Sequence, residues 1–97
     1  MHWVLIAYDI VTDDREGRRR LRRVAKVCER YGVRVQKSLF ECQGDAKTLQ
    51  KLRFELLDEI DERYDSLRIY HMGKQIDQHV ESFGIEDVLR FDEPLLF

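Results

Sequence analysis

Trp3-Val-Leu-Ile-Ala-Tyr-Asp-Ile10 is followed, after the polar turn Thr12-Asp13-Asp14, by the stretch Glu16 to Tyr31, and the change of period between the two decides the fold. The first stretch is short, nearly continuously apolar and rich in β-branched and aromatic residues, so it reads as a central strand covered on much of both faces. Asp9 is the acid at its carboxyl end. In the second stretch Leu21, Val24, Ala25 and Cys28 recur at i, i+3, i+4 and i+7, with Val27 and Tyr31 widening the stripe, which is the pattern of an amphipathic helix. Asp13 with Glu16 stands in capping-box position at its start, and Gly32 stands where a helix C-cap is wanted.

Working outward, Val33 to Gln43 returns to strand character, broken at Lys37-Ser38 into two short strands. Gly44-Asp45 opens a second helix expected to run from Asp45 to about Tyr64, with Leu49, Leu52, Leu56 and Ile60 on one face. Ser66 to Met72 is a further strand, Gly73-Lys74 turns the chain, and Val80 to Phe83 is expected to add one more short strand. The order βαββαβ describes an α/β (α+β) sandwich of ferredoxin-like type, with an extra C-terminal strand. Residues 1–97 are expected to form this single domain, with 74–97 a strand and tail docking on a partner copy. The open face of such a sheet wants covering, and a second copy would cover it.

At 97 residues, 43% hydrophobic and 37% charged, with one proline and five glycines, the chain is too apolar for disorder and too poor in Pro and Gly for a linker. The longest apolar run, Trp3 to Ala7, falls far short of the ~20 residues of a membrane span. Only Met1 and His2 precede it, so a secretory signal is not expected either, and the reading is a soluble, cytoplasmic chain with no membrane partner. Cys28 and Cys42 form no C-x-x-C pair, and His2, His71 and His79 show no metal-ligand spacing. Zinc is therefore not expected, and Cys28 reads as a small hydrophobe on the apolar helix face.

The net charge of −2 conceals a polarised chain. Residues 1–48 carry +4 and residues 49–97 carry −6, while Arg15 to Lys37 alone holds ten basic residues against two acidic ones. Such asymmetry speaks about partners. Arg19, Arg22, Arg23, Lys26 and Arg30 make the polar helix face an almost purely cationic ridge, which Arg34 and Lys37 extend onto the next strand. A ridge that repels itself is better explained by phosphate contact than as a solvated face, and guanidinium forks suit phosphate. Asp9 carries two readings: hydrogen bonding to the following loop, or a ligand for a hard cation such as Mg²⁺, which takes one or two carboxylates plus water. One carboxylate per chain is a poor site, and two brought together across a two-fold axis would be an adequate one.

The strand end Tyr8-Asp9-Ile10, the stretch Arg19-Arg-Leu-Arg-Arg-Val-Ala-Lys26, the segment Tyr31-Gly-Val-Arg-Val-Gln-Lys-Ser-Leu-Phe-Glu41, Asp65-Ser-Leu-Arg-Ile-Tyr70 and the ending Glu93-Pro-Leu-Leu-Phe97, in this order, closely resemble the small CRISPR-associated adaptation proteins of the Cas-two family. The resemblance runs nearly end to end. It implies a ferredoxin-like homodimer whose two strand-end aspartates face each other and bind a divalent metal, magnesium or manganese. It further implies endonuclease activity on RNA or double-stranded DNA, and a place as the dimeric centre of a complex with the Cas-one integrase that inserts new spacers. By position, Asp9 matches the metal-site aspartate, Arg20 and Arg22 the helix arginines, Arg34 the arginine opening the second strand, and Phe40 the aromatic of the S-x-F segment. Asp13 and Asp14 either join the metal shell or cap the helix, with capping the favoured reading.

Two functions from different classes are thus expected of the same residues. One is metal-assisted phosphodiester hydrolysis through paired Asp9 side chains, with the ridge positioning the backbone. The other is a non-catalytic DNA-binding scaffold, which explains the ridge without needing Asp9.

Overall fold

A computed structural model of the chain describes residues 1–84. Four strands, β1 (His2–Asp9), β2 (Gly32–Gln36), β3 (Leu39–Gly44) and β4 (Ser66–Gly73), form one antiparallel sheet in the order β2-β3-β1-β4, and helices α1 (Arg15–Glu29) and α2 (Ala46–Glu59) join them. This is the βαββαβ sandwich foreseen, with β1 in the middle.

The alternation of β1 divides the molecule. Val4, Ile6 and Tyr8 point beneath the helices and are buried, with Ile10 just beyond the strand. They pack with Val24, Val27 and Cys28 of α1, Phe40 and Cys42 of β3, and Leu52 and Leu56 of α2. Burying each large aliphatic side chain contributes about 1.5–3 kcal/mol. Trp3, Leu5 and Ala7 point the other way and are only half-buried. A strand covered on both faces was expected; in the single chain the helices cover one.

The polar turn before α1 caps it through Asp14, whose carboxylate accepts from Gly17 N at 2.8 Å. The capping aspartate is therefore one residue later than the Asp13 expected. Gly17 is required sterically, because a Cβ there would lie 1.9 Å from the Val11 carbonyl oxygen. Gly32 is likewise an approach glycine and not a left-handed cap. It has no positive φ, and its Cβ would meet the Glu41 carbonyl oxygen at 2.0 Å as β2 lies against β3.

Asp45 caps α2 by accepting from Thr48 N at 2.7 Å. The helix stops at Glu59, short of the Tyr64 expected, because Asp side chains take over the backbone donors: Asp61 N donates to Asp65 at 2.8 Å and Arg63 N to Asp61 at 3.0 Å. After β4 a 3₁₀ turn, Ile76–Gln78, buries Ile76.

The extra strand over Val80 to Phe83 is not formed among the described residues. That segment is irregular in the single chain, and Phe83 is 85% exposed. The Glu93-Pro-Leu-Leu-Phe97 ending and most of the 74–97 docking segment lie outside the described residues. Among the described residues no helix is long and apolar enough to cross a membrane.

Candidate metal and nucleic-acid site

Cross-strand register places the side chains of the helix-free face. Leu5 stands opposite Glu41 and Tyr70, Ala7 opposite Leu39 and Arg68, and Asp9 opposite Ser66. Directly opposed residues share a face. Asp9 is therefore an exposed carboxylate at one end of a mixed sheet surface, on the same face as the half-buried Leu5, Ala7 and Leu39 and the exposed Ser66 and Arg68. Its oxygens are hard donors of the kind Mg²⁺ takes, and Mg²⁺ is usually held by one or two carboxylates with several waters retained. The donor chemistry fits such an ion. Among the described residues no three His, Cys, Asp or Glu side chains gather as a metal cluster around Asp9 or elsewhere. Asp14 is occupied as the helix cap, and Asp13 is exposed in the same loop.

The backbone around Asp9 is held by one buried acid that the sequence reading did not single out. The Asp65 side chain is 0% exposed. It accepts from Arg20 Nε at 2.8 Å and from the other Arg20 nitrogen at 3.3 Å, from Val11 N at 3.1 Å, and from Asp61 N at 2.8 Å. Burial by itself pushes the Asp65 carboxyl up, but the Arg20 guanidinium and the two backbone amides more than offset this and hold it below the usual carboxylate range. Its neighbour Asp61 is held down at about 2 by the Arg63 guanidinium that donates to it.

The basic residues separate into three groups. Arg18, Arg19, Arg22 and Lys26 are exposed along one side of α1 and form no ion pair among the described residues. Arg23 and Arg30 lean toward α2, where Arg23 lies 3.9 Å from Glu59 and Arg30 3.3 Å from Glu55. The acidic residues of the second helix thus neutralise one flank of the ridge. Arg20, matched by resemblance to a helix arginine and expected to bind nucleic acid, is turned inward to Asp65 with its side chain only 18% exposed.

Arg34 is also committed to the fold. Its guanidinium lies over the Phe40 ring, 5.0 Å from the centroid, with Glu29 at 3.9 Å. Phe40 is 0% exposed and stacks on Tyr8 at 6.3 Å, which makes it a core residue with no face free for a base. The Tyr8 hydroxyl donates to the Lys37 carbonyl at 3.4 Å, and burial pushes its pKa up. Lys37 itself is exposed in the β2–β3 turn. Tyr70 stands half-exposed on the open face, where Arg68 donates to its hydroxyl at 3.1 Å.

A family model described as CRISPR associated protein Cas2 matches residues 1–80. A Halalkalibacterium halodurans protein named CRISPR-associated endonuclease Cas2 is 47% identical over 94 residues, covering 97% of this chain and 98% of that one. A Moorella thermoacetica protein named CRISPR-associated endoribonuclease Cas2 1 is 42% identical, with the same shares covered. The crystal structure of Streptococcus pyogenes Cas2 at pH 6.5 matches with a TM-score of 0.75 at 44% identity, covering 84% of this chain and 99% of that one. The strand-end acid, the cationic first helix and the four-stranded sheet therefore sit in a scaffold shared nearly end to end with these proteins, and the chain belongs to the Cas2 family of CRISPR-associated proteins.

Proposed function

We propose that two copies of this chain, joined through their open sheet faces, form an Mg²⁺-dependent endonuclease that also holds nucleic acid for the Cas-one integrase during spacer acquisition. The observation that carries the reading is the placement of Asp9. A carboxylate exposed at the end of the central strand, beside a sheet face with no helix over it, is where a two-fold partner would bring a second carboxylate. The relatives' names, endonuclease and endoribonuclease, support phosphodiester chemistry. A divalent ion bound there would supply a water activated for attack and neutralise charge on the phosphate. What this chain's own residues contribute is oxygen ligation by Asp9 and the exposed stripe of α1 that holds the backbone.

A scaffold role is carried by a second observation. Arg18, Arg19, Arg22 and Lys26 stand free of ion pairs among the described residues and bind polyanions whether or not Asp9 turns over substrate.

Asp9→Asn separates the two, because it keeps size and removes charge. The nuclease reading expects Mg²⁺-dependent cleavage of RNA or duplex DNA to vanish while duplex binding and the dimer, followed by light scattering, persist. Cleavage at the wild-type rate in this variant removes Asp9 from the reaction, and a monomer at micromolar concentration removes the paired site.

A further inference from the structure

We propose that Asp65 is a positioning residue for Asp9: by gripping the Val11 amide and the Arg20 guanidinium, it fixes the chain where β1 ends and so sets where the Asp9 carboxylate can reach. The inference rests on the proposed role of Asp9 as a metal ligand.

Asp9 is bracketed on both sides by this one acid. Its cross-strand partner on β4 is Ser66, the residue next to Asp65. Two residues beyond Asp9, the Val11 N–H is bound by Asp65 Oδ1 at 3.1 Å. The Val11 carbonyl is packed where a Cβ on Gly17 would stand, at 1.9 Å, so the N–H of Val11 is tied to the start of β4 and its C=O is seated against α1. Arg20 completes the grip from α1 with two N–H donors at 2.8 and 3.3 Å, and Asp61 N adds the end of α2 at 2.8 Å. Four separate pieces of chain meet at one carboxylate whose side chain is wholly withdrawn from water.

Such an arrangement is poorly explained by stability alone. Withdrawing the Asp65 carboxylate from water carries a cost that its donors must repay, while Arg20 keeps part of its surface in solvent, so the pair by itself adds little stability. A buried pair specifies geometry instead: a two-pronged guanidinium meets a carboxylate in one orientation, whereas an apolar plug tolerates several. The geometry specified here is that of the backbone two residues past the candidate ligand. Groups that orient a metal ligand commonly alter metal affinity or activity by ~10–100-fold when removed. Arg20 is the arginine of the 18–23 run spent on this grip, while Arg18, Arg19 and Arg22 remain exposed. Loss of the grip is therefore expected to touch the metal and the rate, and to leave substrate affinity to the stripe.

The full-length chain is compared as wild type, Asp65→Asn, Arg20→Lys and Asp9→Asn, at a temperature where circular dichroism shows each to be folded. Mn²⁺ alone is titrated by electron paramagnetic resonance, and cleavage is followed at saturating Mg²⁺. The expected result for Asp65→Asn is Mn²⁺ affinity weaker by about tenfold or more, kcat reduced by a similar factor, and KM unchanged. Arg20→Lys keeps the charge but not the fork and is expected to show a smaller loss of the same kind; it carries the test if Asp65→Asn does not fold. Wild-type Mn²⁺ affinity and kcat in either folded variant, with Asp9→Asn defective in both, overturns the positioning role and leaves Asp9 as ligand. Wild-type Mn²⁺ affinity in Asp9→Asn overturns both readings.

Discussion

Neutralising the exposed stripe of α1 should change how nucleic-acid binding responds to salt by an amount the structure sets in advance. Arg19, Arg22 and Lys26 lie within two turns on the outer side of the helix, unpaired among the described residues. If each contacts one phosphate, replacing all three by Gln lowers the slope of log K against log salt by ~2.7, at about 0.9 per contact on duplex DNA. Between about 50 and 200 mM salt the wild type then loses roughly 40-fold more affinity than the variant. The helix should persist, since Gln propagates helices nearly as well as Arg and Lys and the buried stripe Val24, Val27 and Cys28 is untouched. Arg23→Gln alone should lower the slope by less than one full contact, because Glu59 already neutralises part of its charge. Fluorescence anisotropy on two duplexes of unrelated sequence reads the slopes. A triple variant with the wild-type slope on both duplexes would refute the stripe as a phosphate surface, and a change confined to one duplex would assign it to base reading instead.

Gly17→Ala should lower stability by about 1–3 kcal/mol, because its methyl group meets the Val11 carbonyl oxygen and neither backbone can move away cheaply; an unchanged denaturation midpoint would contradict the tight approach. Asp45, Glu55, Asp61 and Asp65 are all held below their ordinary values, so the folded chain binds fewer protons than the unfolded one in acid. Their contribution is present above the ordinary carboxylate range and is lost as pH falls from about 4 toward 2, where Asp61 titrates; urea midpoints that do not fall across this interval would reject the assignment. Burial pushes the Cys28 and Cys42 thiols up to about 12, so iodoacetamide at pH 8 should leave the folded chain unlabelled and modify both in urea, and rapid labelling of the native state would show that they are not buried.

The fold was legible in the sequence because its signals are periodic. The switch from the Trp3–Ile10 run to the Leu21–Val24–Cys28 stripe marks β1 and α1, and Asp9 announces itself as an acid ending an apolar strand. What escaped has no period. Asp65 looks like one more acid after the charged end of α2, and only the fold brings it to Arg20 and Val11. Arg20 sits in a run of five arginines, and its rotation about the helix axis, not its neighbours in sequence, turns it inward. Asp13 and Asp14 offer the same capping chemistry one residue apart, and backbone geometry chose Asp14. α2 ends early because Asp61 and Asp65 compete for backbone donors, a contest decided by side-chain placement that helix periodicity does not record. Val80 to Phe83 reads as a short strand, yet a sequence pattern does not name the edge that would receive it.

The central position of β1 also has consequences for how the protein is made. The strand that carries Asp9 leaves the ribosome before its partners, but Ile6 lies between Phe40 and Ile69, and Asp9 is paired with Ser66. Its apolar side chains stay without their strand partners until β3 and β4 have emerged, since domains complete as units and long-range strand pairing is slow. No nascent fragment ending before β4 can assemble the surroundings of Asp9, because Ser66 and the acid that grips Val11 are both still missing. A chain terminated before β4 would therefore carry Asp9 and expose the apolar residues of β1 while lacking the groups that hold the backbone around that acid.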